Sequence, residues 1–454
     1  MSRVPMRIAA AAAFVVAACG QVSTPPPDGQ ILLYVDTDAP LPDGPPGTPP
    51  ALFDRLRVTL LPPGQSTPCN GCSQDFDLTT PLLAGLGASV GLAPPVGQAG
   101  WMAHVQMFPT EFTSATGDPD PETTVDVTVA LPTVTPMGVQ VLTVTLGTAQ
   151  VGQPVSAATA RTTEGEPVAS LVGTWGPAQR VGCTNAPRAG EVCVPGGASW
   201  VGTTQTANPP LPNTARLPPR IVVLSPFFLD ALEVTVASFR QGGGQGALAA
   251  TGTSGKTSIL DWCTFSPSPG ATDQAPVNCL TWAQARAYCQ ARGADLETEA
   301  QWEYVAGALQ GSRFIWGSDL PDCDAGVWGR SGYGVFAAET HACPSAPPGS
   351  APAALDASPR ARDMLQLDGG TIYDIAGNVI EWTLDTWELP DGGCWGTARL
   401  YQDPVCGPEE DAAIHPARGG AWLSNGNELP AVQRYQGTVP DETKGLRCAR
   451  PDAP

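Results

Sequence analysis

The stretch 373–387, Tyr-Asp-Ile-Ala-Gly-Asn-Val-Ile-Glu-Trp-Thr-Leu-Asp-Thr-Trp, constrains the fold of this chain more than any other. Gly377-Asn378 can turn tightly, and Trp382 and Trp387 supply large apolar mass for a core. Side-chain oxygens surround the turn at Asp374, Asn378, Glu381 and Asp385. Hard oxygens that converge on one point could hold a calcium ion, and the same groups could instead be satisfied locally in a packed core turn. The residues alone leave both interpretations open.

Glycine and proline content limits the regular structure that the rest of the chain can form. The 454 residues include 51 Gly and 49 Pro, which indicates many turns and loops and little long helix. The length predicts two or three domains. The net charge of −20, with no basic block, excludes nucleic acid as a partner, since phosphate binding needs clustered Lys and Arg.

The N-terminus reads as a targeting segment. Arg3 and Arg7 precede an apolar run, 9–18, that is too short to span a bilayer as a mature helix. The run ends in Val-Ala-Ala-Cys19-Gly, which resembles a bacterial lipobox, so residues 1–19 are predicted to be a lipoprotein signal peptide with Cys19 acylated. An ordinary secretory signal is the alternative. Residues 20–29 are a Pro-rich tether. The prediction is a protein lipid-anchored in the cell envelope, with the outer membrane favoured, or exported.

Thirteen cysteines remain to be assigned, and setting Cys19 aside leaves an even number in an oxidising compartment. Disulfides are therefore expected, although sequence alone does not fix their pairing. The local candidates are Cys69–Cys72, Cys183–Cys193, Cys263–Cys279, Cys323–Cys343 and Cys394–Cys406. A zinc site at Cys69 and Cys72 is the competing interpretation, but no second CxxC or His pair accompanies it.

Residues 30–150 are predicted to form an all-β, sandwich-like domain. Short runs with strand patterns alternate with Pro- and Gly-rich turns. The expected strands are 31–36, 56–61, 101–108, 123–131 and 139–146. His104 lies within a strand pattern and is interpreted as structural. Residues 151–192, which are small, polar and weakly patterned, are predicted to be a linker.

Residues 193–454 carry the helix signals. Thr281 with Gln284, and Thr298 with Gln301, have the spacing of capping boxes, and Thr235 is a further candidate N-cap. The segment 250–257 nearly matches a phosphate-binding P-loop, but no buried strand precedes it, so it is interpreted as a Gly-rich surface loop.

A series of short motifs resembles the formylglycine-generating enzyme family, also called sulfatase-modifying factors. The motifs are Leu229–Asp230, Leu232–Thr235, Pro276–Asn278, Ala287–Cys289, Glu299–Tyr304, Phe314–Gly317, Asp374–Trp382, Arg418–Trp422 and Gly445–Arg450. The resemblance covers residues 193–454. It implies an α+β fold with low regular secondary structure, similar to an elaborated C-type lectin fold.

The resemblance also shows what is missing. Active members of the family oxidise a substrate cysteine to formylglycine with two cysteines and copper. The corresponding positions here are Ser424 and Leu429, and no Cys lies between Cys406 and Cys448, so copper is not expected. Ser424 could be a nucleophile only with a base, for which His415 is the nearest His in sequence. The three-His iron site of a related branch is not expected either, because the three His of this chain are His104, His341 and His415, and His104 lies in the other domain.

Two features implied by the resemblance are retained. One is a disulfide that joins Cys289 to Cys448. The other is a calcium site, whose ligands would be the Asp374 side chain, the carbonyls of Gly377 and Val379, and the Glu381 carboxylate.

The prediction is a non-enzymatic protein that binds a peptide, glycan or partner protein in the family's former substrate cleft. The cleft candidates are Ser424, Asn425, Asn427 and Arg434. The alternatives are an enzyme of divergent chemistry in the same cleft, a sulfatase-modifying-type oxidase, and a purely structural envelope protein.

Overall fold

The chain folds as two compact units, Met1–Gln179 and Arg180–Pro454. The computed structural model describes residues 7–10, 27–84, 88–204, 216–246, 263–322, 325–328, 362–389, 392–396, 399–409 and 411–452. Cys19, the 250–257 segment, His341 and the expected Cys323–Cys343 bridge lie outside these residues. No helix among the described residues is long and apolar enough to cross a membrane.

The described residues of the first unit form two sheets. Its strands are β1 (Arg7–Ala10), β2 (Gln30–Thr37), β3 (Arg55–Leu61), β4 (Ser73–Asp77), β5 (Ala88–Leu92), β6 (Met102–Phe108), β7 (Val125–Ala130), β8 (Val139–Leu146) and β9 (Thr162–Glu164). One sheet has the order β1-β5-β2-β8-β9 and the other β4-β3-β6-β7. Helix α1 (Thr80–Ala84) and short 3-10 turns at Thr110–Phe112, Thr148–Gln150 and Gly176–Ala178 complete this unit. The expected all-β first domain is confirmed. Strand β1 lies within residues 1–19, and the signal peptide predicted there stays a prediction.

The boundary between the units differs from the predicted linker at 151–192. Residues up to Gln179 belong to the first unit, because β9 pairs with β8 and the backbone N–H groups of Gly173 and Trp175 donate to Ala39 and Asp38. Residues from Arg180 onward belong to the second unit, where a disulfide ties Cys183 to Cys193. The sequence does not indicate these attachments, because several of them are made through backbone groups and a cross-link, and the buried apolar side chains, such as Trp175, Ala178 and Val192, are too few and too widely spaced to form a pattern.

The described residues of the second unit form several small sheets and three short helices. Its strands are β10 (Glu191–Val194), β11 (Gly197–Val201), β12 (Arg220–Leu224), β13 (Phe227–Asp230), β14 (Asp295–Leu296), β15 (Met364–Leu367), β16 (Gly370–Tyr373), β17 (Ile380–Trp382), β18 (Leu400–Gln402), β19 (His415–Arg418), β20 (Arg434–Gly437), β21 (Lys444–Gly445) and β22 (Cys448–Pro451). The helices are α2 (Val236–Gln241), α3 (Trp282–Ala291) and α4 (Glu299–Ala306), with a 3-10 turn at Gly426–Glu428. The sheet orders are β10-β13-β22-β14, β11-β12-β18, β15-β16 and β20-β19-β17-β21. This is the expected α+β fold with little regular secondary structure.

Local sequence signals set the helix boundaries. Thr281 and Thr298 each cap a helix through the backbone N–H three residues on, and Gln284 and Gln301 complete the two capping boxes. Helix α4 ends at Ala306. Ala308 and Leu309 adopt left-handed φ values of 54° and 62°, which the helix cannot include.

Tryptophans and disulfides hold the second unit together. Trp302, Trp382, Trp395 and Trp422 are all fully buried. Among the described residues of this unit, disulfides join Cys183–Cys193, Cys263–Cys279, Cys289–Cys448 and Cys394–Cys406, and in the first unit Cys69 is bonded to Cys72. The Cys289–Cys448 bridge fastens α3 to β22. Cys69 and Cys72 are therefore bonded to each other, which removes them as zinc ligands.

Candidate functional site

The segment that would carry catalysis in an active relative connects β19 to β20. It leaves β19 through Gly419 and Gly420, whose φ values are 110° and 79°. A Cβ on Gly420 would lie 2.9 Å from Leu429 Cδ2, and one on Gly419 would lie 3.0 Å from the Ile375 carbonyl oxygen. Both the left-handed backbone and the close packing require glycine here.

The positions of the two missing thiols perform structural roles. The Ser424 hydroxyl accepts a hydrogen bond from the Ala421 N–H at 3.0 Å and is mostly buried. Leu429 is 1% exposed and belongs to an apolar cluster with Phe314, Trp328 and Ala376. One position therefore stabilises a turn, and the other fills the core.

The neighbouring asparagines begin the 3-10 turn. Asn425 is its N-cap: its Oδ1 accepts from the Asn427 N–H at 2.9 Å, and its own N–H donates to Glu428 Oε2 at 2.8 Å. Asn427 is half-buried, and its backbone is fixed by this cap. These residues are held in place, and the contacts give Asn425 a capping role.

Arg434 lies within a buried ion network. Glu299 accepts from Arg434 Nε at 2.7 Å and from Arg418 Nε at 2.9 Å, and Arg418 Nη2 donates to Glu303 at 2.9 Å. The Arg434 guanidinium also lies 4.2 Å from the Trp387 ring centroid. Burial would raise the pKa of Glu299, but Arg434 and Arg418 outweigh burial and hold that pKa below its ordinary value. Arg434 is thus engaged in the core and does not face a cleft.

Sequence reasoning missed the partners of this network. Glu299 and Glu303 share the inward face of α4 with Trp302, at spacings of three and four residues. Two acids on the apolar face of a capped helix were the available signal that buried cations must face them.

Neither His104 nor His415, the two histidines that the structure describes, is placed as a base for Ser424. The His415 ring stacks on Trp282 at 3.7 Å and 5°, and its Nδ1 lies 2.9 Å from the Asp385 carbonyl oxygen. Burial lowers the pKa of His415. In the first unit, His104 Nε2 pairs with Asp126 Oδ1 at 2.6 Å, in line with its structural interpretation.

A second group of buried charges surrounds Arg447. Its carboxylates are Glu233, Glu297, Asp363, Asp374 and Glu381, all at most 8% exposed. Arg447 Nε donates to Glu381 Oε1 at 2.9 Å, and Trp302 Nε1 donates to Glu381 Oε2 at 2.8 Å. Burial, with the nearby charges of Asp374 and Glu381, raises the pKa of Glu233. Burial, with the charge of Asp374, raises the pKa of Asp363 to about 8.

This group fits a divalent cation in charge, because its carboxylates outnumber the guanidinium of Arg447. The Oδ1 of Asn378 is also buried without a hydrogen-bond partner. Among the described residues, however, no three His, Cys, Asp or Glu side chains converge as a metal site. A calcium ion here would need the carbonyls of Gly377 and Val379 as well as Asp374, and it would share Glu381 with Arg447 and Trp302.

A separate cavity of about 430 Å³ opens beside α2 and α3. Its lining includes Ser238, Gln241, Tyr288 and the Asp230–Arg292 ion pair, whose closest atoms are 2.8 Å apart. None of the four predicted cleft residues lines it.

These features are those of a sulfatase-modifying-factor scaffold: the turn at Gly419 and Gly420, the buried ion network at Glu299, and helices α3 and α4, which carry two of the family motifs. The family profile of the Sulfatase-modifying factor enzyme 1-like domain matches residues 179–452, and the chain belongs to this family.

Curated relatives include both inactive and active family members. Over 183 residues, the chain is 29% identical to the Inactive C-alpha-formylglycine-generating enzyme 2 of Bos taurus, covering 38% of this chain and 50% of the bovine protein. It is 30% identical over 189 residues to the Formylglycine-generating enzyme of Streptomyces coelicolor, covering 38% of this chain and 52% of that enzyme. The matches thus span about half the length of these relatives. Among solved structures, PvdO from Pseudomonas aeruginosa is similar with a TM-score of 0.36 at 19% identity, over 57% of this chain and 94% of that one.

Proposed function

We propose that this protein is a non-catalytic binding protein, in which the family scaffold presents the β19–β20 segment to a peptide, glycan or partner protein. The observation that carries the proposal is the structural role of the residues at the two thiol positions. Ser424 accepts a hydrogen bond from a turn N–H, and Leu429 packs in an apolar cluster. Neither supplies a thiolate, which is the nucleophile and Cu(I) ligand that the family reaction needs. Similarity to an inactive relative supports the same interpretation.

The test is an assay for formylglycine. The purified protein is incubated with a cysteine-containing peptide and Cu(I), beside an active family member as the positive control, and the peptide mass is followed. We expect no conversion. Conversion of the peptide cysteine to formylglycine would refute the proposal.

No contact described above favours the alternative of a different reaction in this segment. The Ser424 hydroxyl is bonded to a backbone N–H, His415 is stacked on Trp282, and Arg434 is paired with Glu299. An enzymatic function is therefore not proposed as a second candidate.

The proposal includes an envelope location through acylation of Cys19. The disulfides support an oxidising compartment, since such bonds persist outside the cytosol. Metabolic labelling with palmitate tests it: we expect the label on the wild-type chain and not on Cys19→Ala. A labelled Cys19→Ala chain would contradict lipidation at this residue.

We also propose that calcium binds the turn at Asp374–Glu381. Removal of calcium with a chelator is expected to lower Tm and added calcium to restore it, because the ion would offset the buried carboxylates. Asp374→Ala should abolish this response. Glu381→Ala is not diagnostic, because Glu381 also holds Arg447 and Trp302. If Tm changes with neither chelator nor added calcium, the proposal is wrong and this segment is only a packed turn.

A further inference from the structure

Strand β5 of the first unit lies one place from the end of its sheet, and its outer neighbour is β1. The two strands are antiparallel, with Arg7 opposite Gly91 and Ala10 opposite Ala88. The other side of β5 pairs with β2. Because β1 lies within the predicted signal peptide, cleavage before Cys19 would remove it. Strand β5 would then be the edge strand of the mature chain.

The other sheet edges among the described residues of the first unit are protected against pairing with another chain. Strand β4 carries two aspartates, each ion-paired with an arginine of β3. Strand β9 has three residues, all exposed, and ends in Glu164. Strand β7 is covered by Val155, which bonds the backbones of Asp126 and Thr128. Charge, shortness and coverage are means by which edge strands avoid pairing.

Strand β5 has none of these protections once β1 is removed. Its five residues, Ala-Ser-Val-Gly-Leu, include no charge and no proline. An edge strand presents a row of backbone N–H and C=O groups to any strand that can pair with them. Of the edges that the structure describes in the first unit, the mature chain therefore has this one open to a further strand.

The register of β5 specifies a side chain that an added strand would need. Directly opposite residues of neighbouring strands lie on one face of a sheet. On β2, Leu33 lies opposite Val90 and Ile31 lies opposite Leu92, and all four are at most 6% exposed. This face is therefore the core side of the sheet, and an aliphatic residue opposite Val90 would extend the core. In the signal peptide, Ile8 occupies that position of the register.

We propose that β5 of the mature chain binds an extended segment of a partner protein by antiparallel strand addition, with an aliphatic residue opposite Val90 and no proline in the paired stretch. In this mode of recognition, backbone hydrogen bonds supply affinity and alternate side chains supply specificity. The net charge of −20 opposes pairing with a second copy of this chain. The inference rests on the proposed maturation at Cys19, and it adds an interaction surface in the first unit.

The test uses the mature lipidated chain, purified from membranes in detergent. It is titrated into a fluorescein-labelled peptide of residues 6–11, Met-Arg-Ile-Ala-Ala-Ala, with detergent alone as the blank, and fluorescence anisotropy is followed. We expect saturable binding at one site per chain. Ile8→Asp in the peptide should weaken binding about tenfold or more, because it places a charge against the core face. No binding, or equal binding of the two peptides, would overturn the proposal.

Two N-methylated peptides test whether the contact is a strand pairing. Alternate residues of an antiparallel strand bond the same neighbouring strand. One peptide is N-methylated at Arg7 and Ala9, and the other at Ile8 and Ala10. We expect one of them to bind about tenfold more weakly than the unmodified peptide, because it loses its donors to β5, and the other to bind as well as the unmodified peptide. Equal loss in both, or loss in neither, would exclude strand addition.

Variants of the chain locate the pairing at β5. Ser89→Lys gives this edge the kind of charge that prevents strand pairing, and it should weaken peptide binding about tenfold. Thr163→Lys makes the same change in β9, at the opposite end of the sheet, and should keep full binding. Unchanged binding by a Ser89→Lys chain with the Tm of the wild type would refute the site. If Ser89→Lys does not fold, the N-methylated peptides decide the question.

Two further measurements separate this inference from the proposals on which it depends. The mass of the purified chain reports whether residues 1–18 were removed. A retained signal peptide would overturn both the maturation at Cys19 and this inference, whereas a processed chain that binds no peptide would overturn only this inference. Sedimentation velocity should give a monomer. A dimer that the peptide dissociates would overturn the choice of a partner protein in favour of a second copy.

Discussion

Single residues in this protein are most constrained where charge is buried. Arg418, Glu299 and Arg434 have no exposed side-chain surface. Such a network costs desolvation free energy on folding, and it is tolerated because every partner is present. Loss of one partner leaves an uncompensated ion in the core.

Glu299→Gln is therefore expected to lower the free energy of unfolding by about 3–5 kcal/mol, because two guanidiniums lose their shared carboxylate. Denaturant unfolding measures the change. Glu409→Gln is the matched control at an exposed position, and it should stay within about 0.5 kcal/mol of the wild type. A Glu299→Gln variant as stable as this control would show that the network contributes little.

The sequence could predict part of this site at the residue scale. The absence of thiols at Ser424 and Leu429 is readable directly from the motif spacing. The burial of Arg434 is not, because its partner Glu299 lies 135 residues away and nothing local marks the pair. Arg434 was accordingly expected in a cleft, and the structure places it in the core.

Elements were predictable where their signals are local. Strands β2, β3, β6, β7 and β8 follow alternating or apolar runs, and α3 and α4 begin at their capping boxes. Strand β4 was not predicted, because Ser73–Asp77 is a largely polar edge strand, paired with β3 alone. Its structure comes from the neighbouring strand rather than from its own pattern.

The cap of α3 gives a prediction at this scale. The Thr281 hydroxyl accepts the Gln284 N–H at 3.2 Å, and Gln284 Oε1 accepts the Thr281 N–H at 2.9 Å. Thr281→Ala should lower the free energy of unfolding by about 1 kcal/mol, because a helix N–H loses its acceptor. Thr281→Ser keeps the hydroxyl and is the control. Equal losses in the two variants, measured by urea unfolding, would exclude a capping effect.

At the scale of the whole molecule, the disulfides differ in the length of chain that they close. Cys289–Cys448 spans 159 residues, whereas Cys69–Cys72 spans 3. Replacing the first pair with alanines should cost about 5 kcal/mol in the chain-entropy model, and replacing the second about 1.6 kcal/mol. Thermal unfolding of the two double variants measures the difference. A smaller loss for the long-range pair would contradict this account.

Buried acids also set how stability depends on pH. Burial, then the charge of Glu299, raises the pKa of Asp385 to about 7, against about 3.9 in an unfolded chain. The folded state holds this proton more tightly than the unfolded chain does. The contribution of Asp385 to the free energy of unfolding is therefore complete below about pH 4 and is lost by about pH 7. Urea unfolding in chelator should therefore give a lower free energy of unfolding at pH 8 than at pH 5. Asp385→Asn, which cannot ionise, should reduce that difference; an unchanged difference would exclude Asp385 as its source.

The position of β22 has a consequence for how the chain is made. This strand lies inside a four-stranded sheet, between β13 and β14. In the sequence it comes after all of the other described strands of the second unit. Arg447, which bonds Glu381, and Cys448, which bonds Cys289, sit at its start. During vectorial synthesis this sheet therefore stays incomplete, with the core of the second unit open, until β22 has been made. A chain truncated before β22 would lack one of the two inner strands of the sheet, and it would be exposed to degradation as an incompletely folded protein.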